Sequence, residues 1–108
     1  MNKSIGEYIH NLRKQRGFTL TQLGALLSID SGALSKIENG KKNIDPKCLS
    51  KIAEVFSLDL DELKDEFLSE KFAYEIISNA RDESVLKLAE EKIKYIRSKN
   101  SKQSELPL

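Results

Sequence analysis

Tryptophan is absent from the 108 residues, and there are only one cysteine, one histidine and two prolines. Cys48 by itself cannot close an internal disulfide, and with His10 as the sole imidazole there is no Cys/His set for a structural zinc site. The sequence therefore predicts neither a metal nor a cofactor. Aromatic residues make up 6% of the chain, and the longest nearly unbroken apolar stretch, Leu23 to Ile29, falls far short of the ~18 residues that a membrane span needs. That excludes a transmembrane helix and any intimate membrane partner. The first residues turn amphipathic at once, without the apolar segment and small-residue cleavage site of a secretory signal, which predicts a cytoplasmic chain. No P-loop, Ser/His/Asp set or pair of carboxylates in a recognisable motif is present, so no enzyme is expected. Apolar alternation with period two is not sustained either, which argues against strands.

What is present is charge and helical periodicity. Eighteen basic and seventeen acidic side chains give a net charge of +1, but they are unevenly placed. Residues 1–51 carry nine basic against four acidic groups, a balance of +5; residues 52–70 stand at −6, and the remainder at +2. A basic front followed by an acidic collar suits a phosphate-rich partner met through one face, although ordinary solvated helix faces would give the same pattern. Ile5, Tyr8, Ile9 and Leu12 repeat at helical spacing, and Gly17 ends that helix. Thr19 can cap a second helix carrying Leu23 and Leu27, and Asp30 a third carrying Leu34 and Ile37, stopped at Asn39-Gly40. Asp45-Pro46 reads as cap and first turn of a fourth helix with Leu49, Ile52 and Phe56. A short fifth helix holds Leu60, Leu63 and Phe67, with Asp61, Glu62, Asp65 and Glu66 outside. Two further stripes follow, over 70–80 and from Glu83 to about Lys99, before a polar tail. The reading is all-α: residues 1–68 as one domain, 69–99 as a helical extension, and 100–108 as a frayed end.

The second and third helices are joined by almost nothing, so they must cross steeply, as in a helix-turn-helix. The run from Thr19 to Lys41, most specifically Leu34-Ser35-Lys36-Ile37-Glu38-Asn39-Gly40-Lys41 with Leu23, Leu27 and Ile29 at their offsets, resembles the five-helix, lambda-repressor-like DNA-binding domain of the phage-repressor and Cro family, also called the xenobiotic-response-element (XRE) family. The likeness covers about residues 5–68. It implies a helix after Asp30 that enters the major groove of double-stranded DNA, with Ser31, Gly32, Ala33, Ser35 and Lys36 toward base edges. Only Lys36 has the reach and charge for guanine O6/N7, so direct readout looks thin and operator shape should contribute. Phosphate contacts are expected from Thr19, Thr21 and Gln22, from backbone amides around Asn39 and Gly40, and from Lys41 and Lys42. The family often pairs an arginine of the first helix with a glutamate ending the third; Arg13 and Glu38 occupy those positions. Two positions depart from the pattern. Leu20 stands where a phosphate-bonding glutamine is usual, and Ser28 stands where the tight turn favours glycine, which predicts a positive φ at Ser28.

The family's small regulators imply a homodimer on a pseudo-palindromic operator, because one reading helix spans only a few base pairs. Phe72, Ile76, Ile77, Val85, Leu86, Ala89, Ile93 and Ile96 are the expected dimer surface; the alternative folds both last helices back and dimerises through Leu60, Leu63 and Phe67. A restriction-modification controller or autoregulator fits, acting by occupancy that blocks RNA polymerase or by recruiting it through the acidic stretch Asp61 to Glu66. The alternatives are an antitoxin that grips a toxin through its last helices, or a protein-interaction adaptor that has kept the fold without DNA contact. His10 is expected as a surface or half-buried helix residue, not as a pH switch or phosphate contact. Cys48 is expected as a small half-apolar residue, with nearby lysines able to lower its pKa.

Overall fold

The computed structural model describes residues 4–103, and every regular element among them is helical. Helix α1 is Ile5–Gln15, α2 Leu20–Leu27 and α3 Ser31–Glu38. A 3-10 turn, Pro46–Cys48, leads into α4, Leu49–Phe56; α5 is Leu60–Ser78 and α6 Ser84–Gln103. The starts are set by side-chain caps that bond otherwise unpaired amides. Ser4 accepts from Glu7 N–H, Asp30 from Ala33 N–H and Asp59 from Glu62 N–H. Thr19 and Gln22 form a reciprocal capping box: the Thr19 hydroxyl accepts from Gln22 N–H at 3.0 Å, and the Gln22 carbonyl oxygen accepts from Thr19 N–H at 2.9 Å.

The ends share one device. After α1, α2, α3, α4 and α5 a single residue turns left-handed, at Gly17, Ser28, Gly40, Ser57 and Ala80. In each case the next amide bonds back to the helix five residues earlier, as in Ile29 N–H to the Gly24 carbonyl and Lys41 N–H to the Lys36 carbonyl, both 2.8 Å. Ser28 has the positive φ expected of it, at 57°. Ser57 and Ala80 adopt the same conformation without glycine, a strain of order 1 kcal/mol each that the surrounding helices hold in place.

The chain divides into two compact units, Met1–Lys71 and Phe72–Leu108. In the first, Ile5, Ile9, Leu23, Leu27, Leu34, Ile37, Leu49, Ile52, Ala53, Phe56 and Leu63 form one core, joined by Ile44 from the loop after α3. Phe18 meets Phe56 edge-on at 6.3 Å, and Arg16 lies 5.6 Å over the Phe56 ring while donating to the Phe56 carbonyl at 3.1 Å. That bond caps the C-terminus of α4.

Three expectations are corrected. The fourth helix starts as a 3-10 turn, because Asp45 caps Lys47 N–H and Pro46 occupies its first position, and α-geometry begins only at Leu49. The fifth helix is not short. It continues to Ser78 through the place where a break was expected, since Leu68-Ser69-Glu70-Lys71 contains no glycine or proline to end it. The expected division after residue 68 therefore falls inside an unbroken helix. Asn100 belongs to α6, which extends to Gln103; residues 104–108 of the expected tail lie outside the described residues. Leu63 is 2% exposed and Leu60 and Phe67 pack on the same core, so the alternative dimer patch on helix five is already covered.

In the second unit, Asp82 caps α6. The Ser84 hydroxyl and amide both donate to its carboxylate and hold it below the usual aspartate range. No helix among the described residues is long and apolar enough to cross a membrane.

Candidate nucleic-acid interface

Helices α2 and α3 are separated only by Ser28, Ile29 and Asp30, and two close backbone approaches fix them. A Cβ on Gly24 would sit 2.5 Å from the Ile29 carbonyl oxygen, and a Cβ on Gly6 would overlap the Ile37 carbonyl oxygen. Glycine at 24 thus lets the turn close under α2, and glycine at 6 lets α1 lie directly on α3. Sequence reasoning missed both, although an isolated glycine inside a helical pattern is itself a signal of close approach.

With one side of α3 held inward by Leu34, Ile37 and Glu38, the opposite side is left open. Gly32 and Lys36 are exposed and Ser31, Ala33 and Ser35 half-buried. All five expected base-facing residues therefore lie off the core, and Lys36 is the only cation among them. Gly32 has open space around it except for the Asp30 carboxylate, 3.1 Å from where a Cβ would be, so its missing side chain keeps the first turn of α3 shallow.

The orientation of α3 is clamped by buried charge. Arg13 and Glu38 are 7% and 6% exposed. Arg13 donates from Nε to Glu38 Oε2 at 2.8 Å and from Nη2 to Oε1 at 3.0 Å, a bidentate pair. Its Nη1 donates to the Phe18 carbonyl at 2.9 Å, just before the Thr19 cap. One guanidinium thus ties the end of α3 to the entry of α2. His10 joins this cluster, with Nδ1 2.7 Å from Glu38 Oε1 and 3.4 Å from Arg13 Nη2. Nothing in the local sequence pattern announced that contact across 28 positions.

Around this clamp lie the expected phosphate-contact residues. Thr19, Thr21 and Gln22 are exposed at the start of α2. The capping box engages Thr19 N–H and the Gln22 carbonyl oxygen, which leaves the Gln22 amide nitrogen and the first-turn amides of Leu20 and Thr21 as donors. Leu20 packs against the core, which is why a leucine suffices there and why it offers no anchor. Asn39, Gly40, Lys41 and Lys42 are all exposed. The expectation that backbone amides of Asn39 and Gly40 face outward is corrected: Asn39 N–H bonds the Ser35 carbonyl at 3.0 Å and Gly40 N–H the Ile37 carbonyl at 3.1 Å, closing α3. From this segment only the side chains of Asn39, Lys41 and Lys42 remain as donors. Buried Ile44 anchors the loop behind them.

Other candidates carry no chemistry. Cys48 is half-buried and its thiol is pushed up, first by burial and then by Asp45, the reverse of the lysine effect expected. Among the described residues no group of three or more His, Cys, Asp or Glu could hold a metal ion. Tyr8, Leu58, Leu63, Asp59, Glu62 and Glu66 line a cleft of about 180 Å³, open to solvent. In the second unit Phe72, Ile77, Leu86 and Ile93 are exposed by about half or more, Ala89 is exposed, and Ile76, Val85 and Ile96 are half-buried. Leu88 and Tyr95 are exposed large side chains that the sequence reading left out.

Five capped helices around one core, with a steep α2–α3 pair whose outer helix is clamped and open on one side, define a helix-turn-helix domain. Comparison with known proteins agrees: the helix-turn-helix family model matches residues 9–63, and the chain belongs to that family, in its XRE branch. It is similar to the HTH-type transcriptional repressor RghR of Bacillus subtilis (strain 168), 33% identical over 57 residues that cover 52% of this chain and 42% of RghR. The ImmF control region 10 kDa protein of Bacillus phage phi105 is 37% identical over 62 residues, covering 57% and 69% of the two chains. The HTH-type transcriptional regulator SlrR of B. subtilis is 34% identical over 80 residues, covering 73% and 51%. The matched stretch thus spans about half the length of these relatives. Among solved structures, a chain of the SinR protein/SinI protein complex aligns with a TM-score of 0.50 at 23% identity, covering 87% of this chain and 98% of that one, a likeness of fold.

Proposed function

We propose that this protein is a non-enzymatic, cytoplasmic, sequence-specific DNA-binding regulator of transcription that acts as a homodimer on a pseudo-palindromic operator. The observation that carries this reading is the open face of α3, with Ser31, Gly32, Ala33, Ser35 and exposed Lys36, set at a fixed angle by the buried Arg13–Glu38 pair. In the reading, that face enters the major groove. Thr19, Thr21 and Gln22 on one side and Asn39, Lys41 and Lys42 on the other hold the flanking phosphates. Gly40 shapes the loop between them. The similar proteins named as repressors and regulators support the same reading. Selection of bound sequences from a random duplex pool is its test: enrichment of a two-fold symmetric site with half-sites about one helical turn (~34 Å) apart is expected, and no enrichment would refute it.

Dimerisation in this reading uses Phe72, Ile76, Ile77, Val85, Leu86, Ala89, Ile93 and Ile96, because exposed apolar side chains on two consecutive helices exceed what a monomer surface ordinarily carries. Light scattering is expected to give about twice the 12.2 kDa chain mass. Ile93→Glu should shift the protein toward one chain mass and weaken operator binding by more than about tenfold, the equivalent of at least 1.4 kcal/mol. A wild-type protein of single-chain mass with no response to Ile93→Glu would discard this interface.

A further inference from the structure

The structure brings the only histidine of the chain to the edge of the proposed DNA face. His10 is on α1, but its imidazole reaches Glu38, the last residue of α3 and the one immediately before Asn39, Gly40, Lys41 and Lys42. Its side chain is 44% exposed while that of Glu38 is 3% exposed, so one ring nitrogen is engaged inside the protein and the other edge of the ring is open to solvent. The charged groups facing the ring are Glu38 from α3 and, on α1 itself, Arg13, with Glu7 and Lys14 one turn away along the same helix. From α5, Glu70 turns toward α1 but is engaged by Ile5 N–H at 2.9 Å.

We infer that His10 is a phosphate-contact residue of the DNA interface that makes its contact only in the doubly protonated form; this inference rests on the DNA-binding reading above. The chemistry follows from the partner of Nδ1. An ionised carboxylate can only accept, so the 2.7 Å contact with Glu38 requires the proton on Nδ1. In the neutral ring Nε2 is then a lone-pair acceptor, which repels a phosphate oxygen. Adding the second proton makes Nε2 a charged donor beside Lys41 and Lys42, while the Nδ1 bond to Glu38 is kept. Imidazole exchanges this proton near neutral pH, so duplex binding takes up a proton there. The buried carboxylate thus does two jobs, clamping α3 through Arg13 and fixing the tautomer that leaves Nε2 to the ligand.

The test is duplex affinity and its salt dependence, measured with the intact protein on its selected operator, between about pH 5.5 and pH 8. For the wild type, affinity is expected to rise by about tenfold on acidification, and the slope of log affinity against log salt to steepen by about 0.9, the signature of one more neutralised phosphate. His10→Gln should bind with the shallow slope at every pH, and His10→Lys, a permanent cation, should show the steep slope at both ends of the range. A merely structural histidine would alter affinity or melting temperature without changing the slope with pH. A wild type that binds the operator with a pH-independent slope, or a His10→Gln protein that keeps the pH dependence, overturns the inference and leaves the DNA-binding reading standing. Absence of duplex binding by the wild type at any pH overturns both.

Discussion

Arg13→Ala is expected to be the most damaging single substitution to the first unit. It removes the cation from a pair whose members are each under a tenth exposed, leaving the Glu38 carboxylate buried with only His10 beside it and the Phe18 carbonyl without its donor. Breaking a buried ion pair from one side costs about 3–5 kcal/mol, because the remaining charge keeps its desolvation penalty and loses its compensation. For a unit of this size that corresponds to a fall in melting temperature of roughly 15 °C or more, at about 4–8 °C per kcal/mol. Replacing both partners together, Arg13→Leu with Glu38→Leu, should recover a large part of the loss in thermal melts, since an apolar pair strands no charge. It should not recover DNA affinity, because the angle of α3 would no longer be set by a directional bidentate contact. An Arg13→Ala protein that melts where the wild type does would contradict the assignment of this pair as the clamp.

The elements that were legible in the sequence are those whose causes are local. Thr19 with Gln22 three residues later, Asp30 before Ser31 and Gly40 after Asn39 are short-range hydrogen-bonding and φ signals, and the structure uses each where it was read. The strained Ser28 was also predictable, because a turn this short between two helices leaves one residue no other conformation. What escaped has nonlocal or negative causes. The bond of His10 to Glu38, the Arg16 cap on α4 and the close approach of Gly6 to Ile37 all depend on how α1 is laid against later elements, which no window of sequence contains. The continuity of α5 was missed for a different reason. A drift in the apolar stripe near Glu70 looks like a boundary, yet without a glycine, proline or capping side chain to take up the freed carbonyls the helix simply continues. Ile44 was read as part of a basic loop, and it is the buried anchor that fixes where that loop presents its lysines.

The amides of Asn39 and Gly40 show how structure narrows a binding hypothesis. The residues remain on the right surface, but their N–H groups close α3 and cannot also meet a phosphate. The positive charge on this side of the interface therefore rests on Lys36, Lys41 and Lys42, with the protonated imidazole of His10 as a conditional fourth. Because these lysines are exposed and make no printed ion pair, changing them leaves the core and the clamp intact.

That separation makes the double charge reversal Lys36→Glu/Lys41→Glu the most direct test of the claim that α3 and the loop after it lie on duplex DNA. The variant should melt within a few degrees of the wild type, as surface substitutions ordinarily stay within about 0.5 kcal/mol each. Its affinity for the selected operator should fall by at least about 100-fold at ~0.1 M salt, and its salt slope should become shallower by about two phosphate contacts. A folded double variant that retains the duplex with wild-type affinity and an unchanged slope would contradict the account.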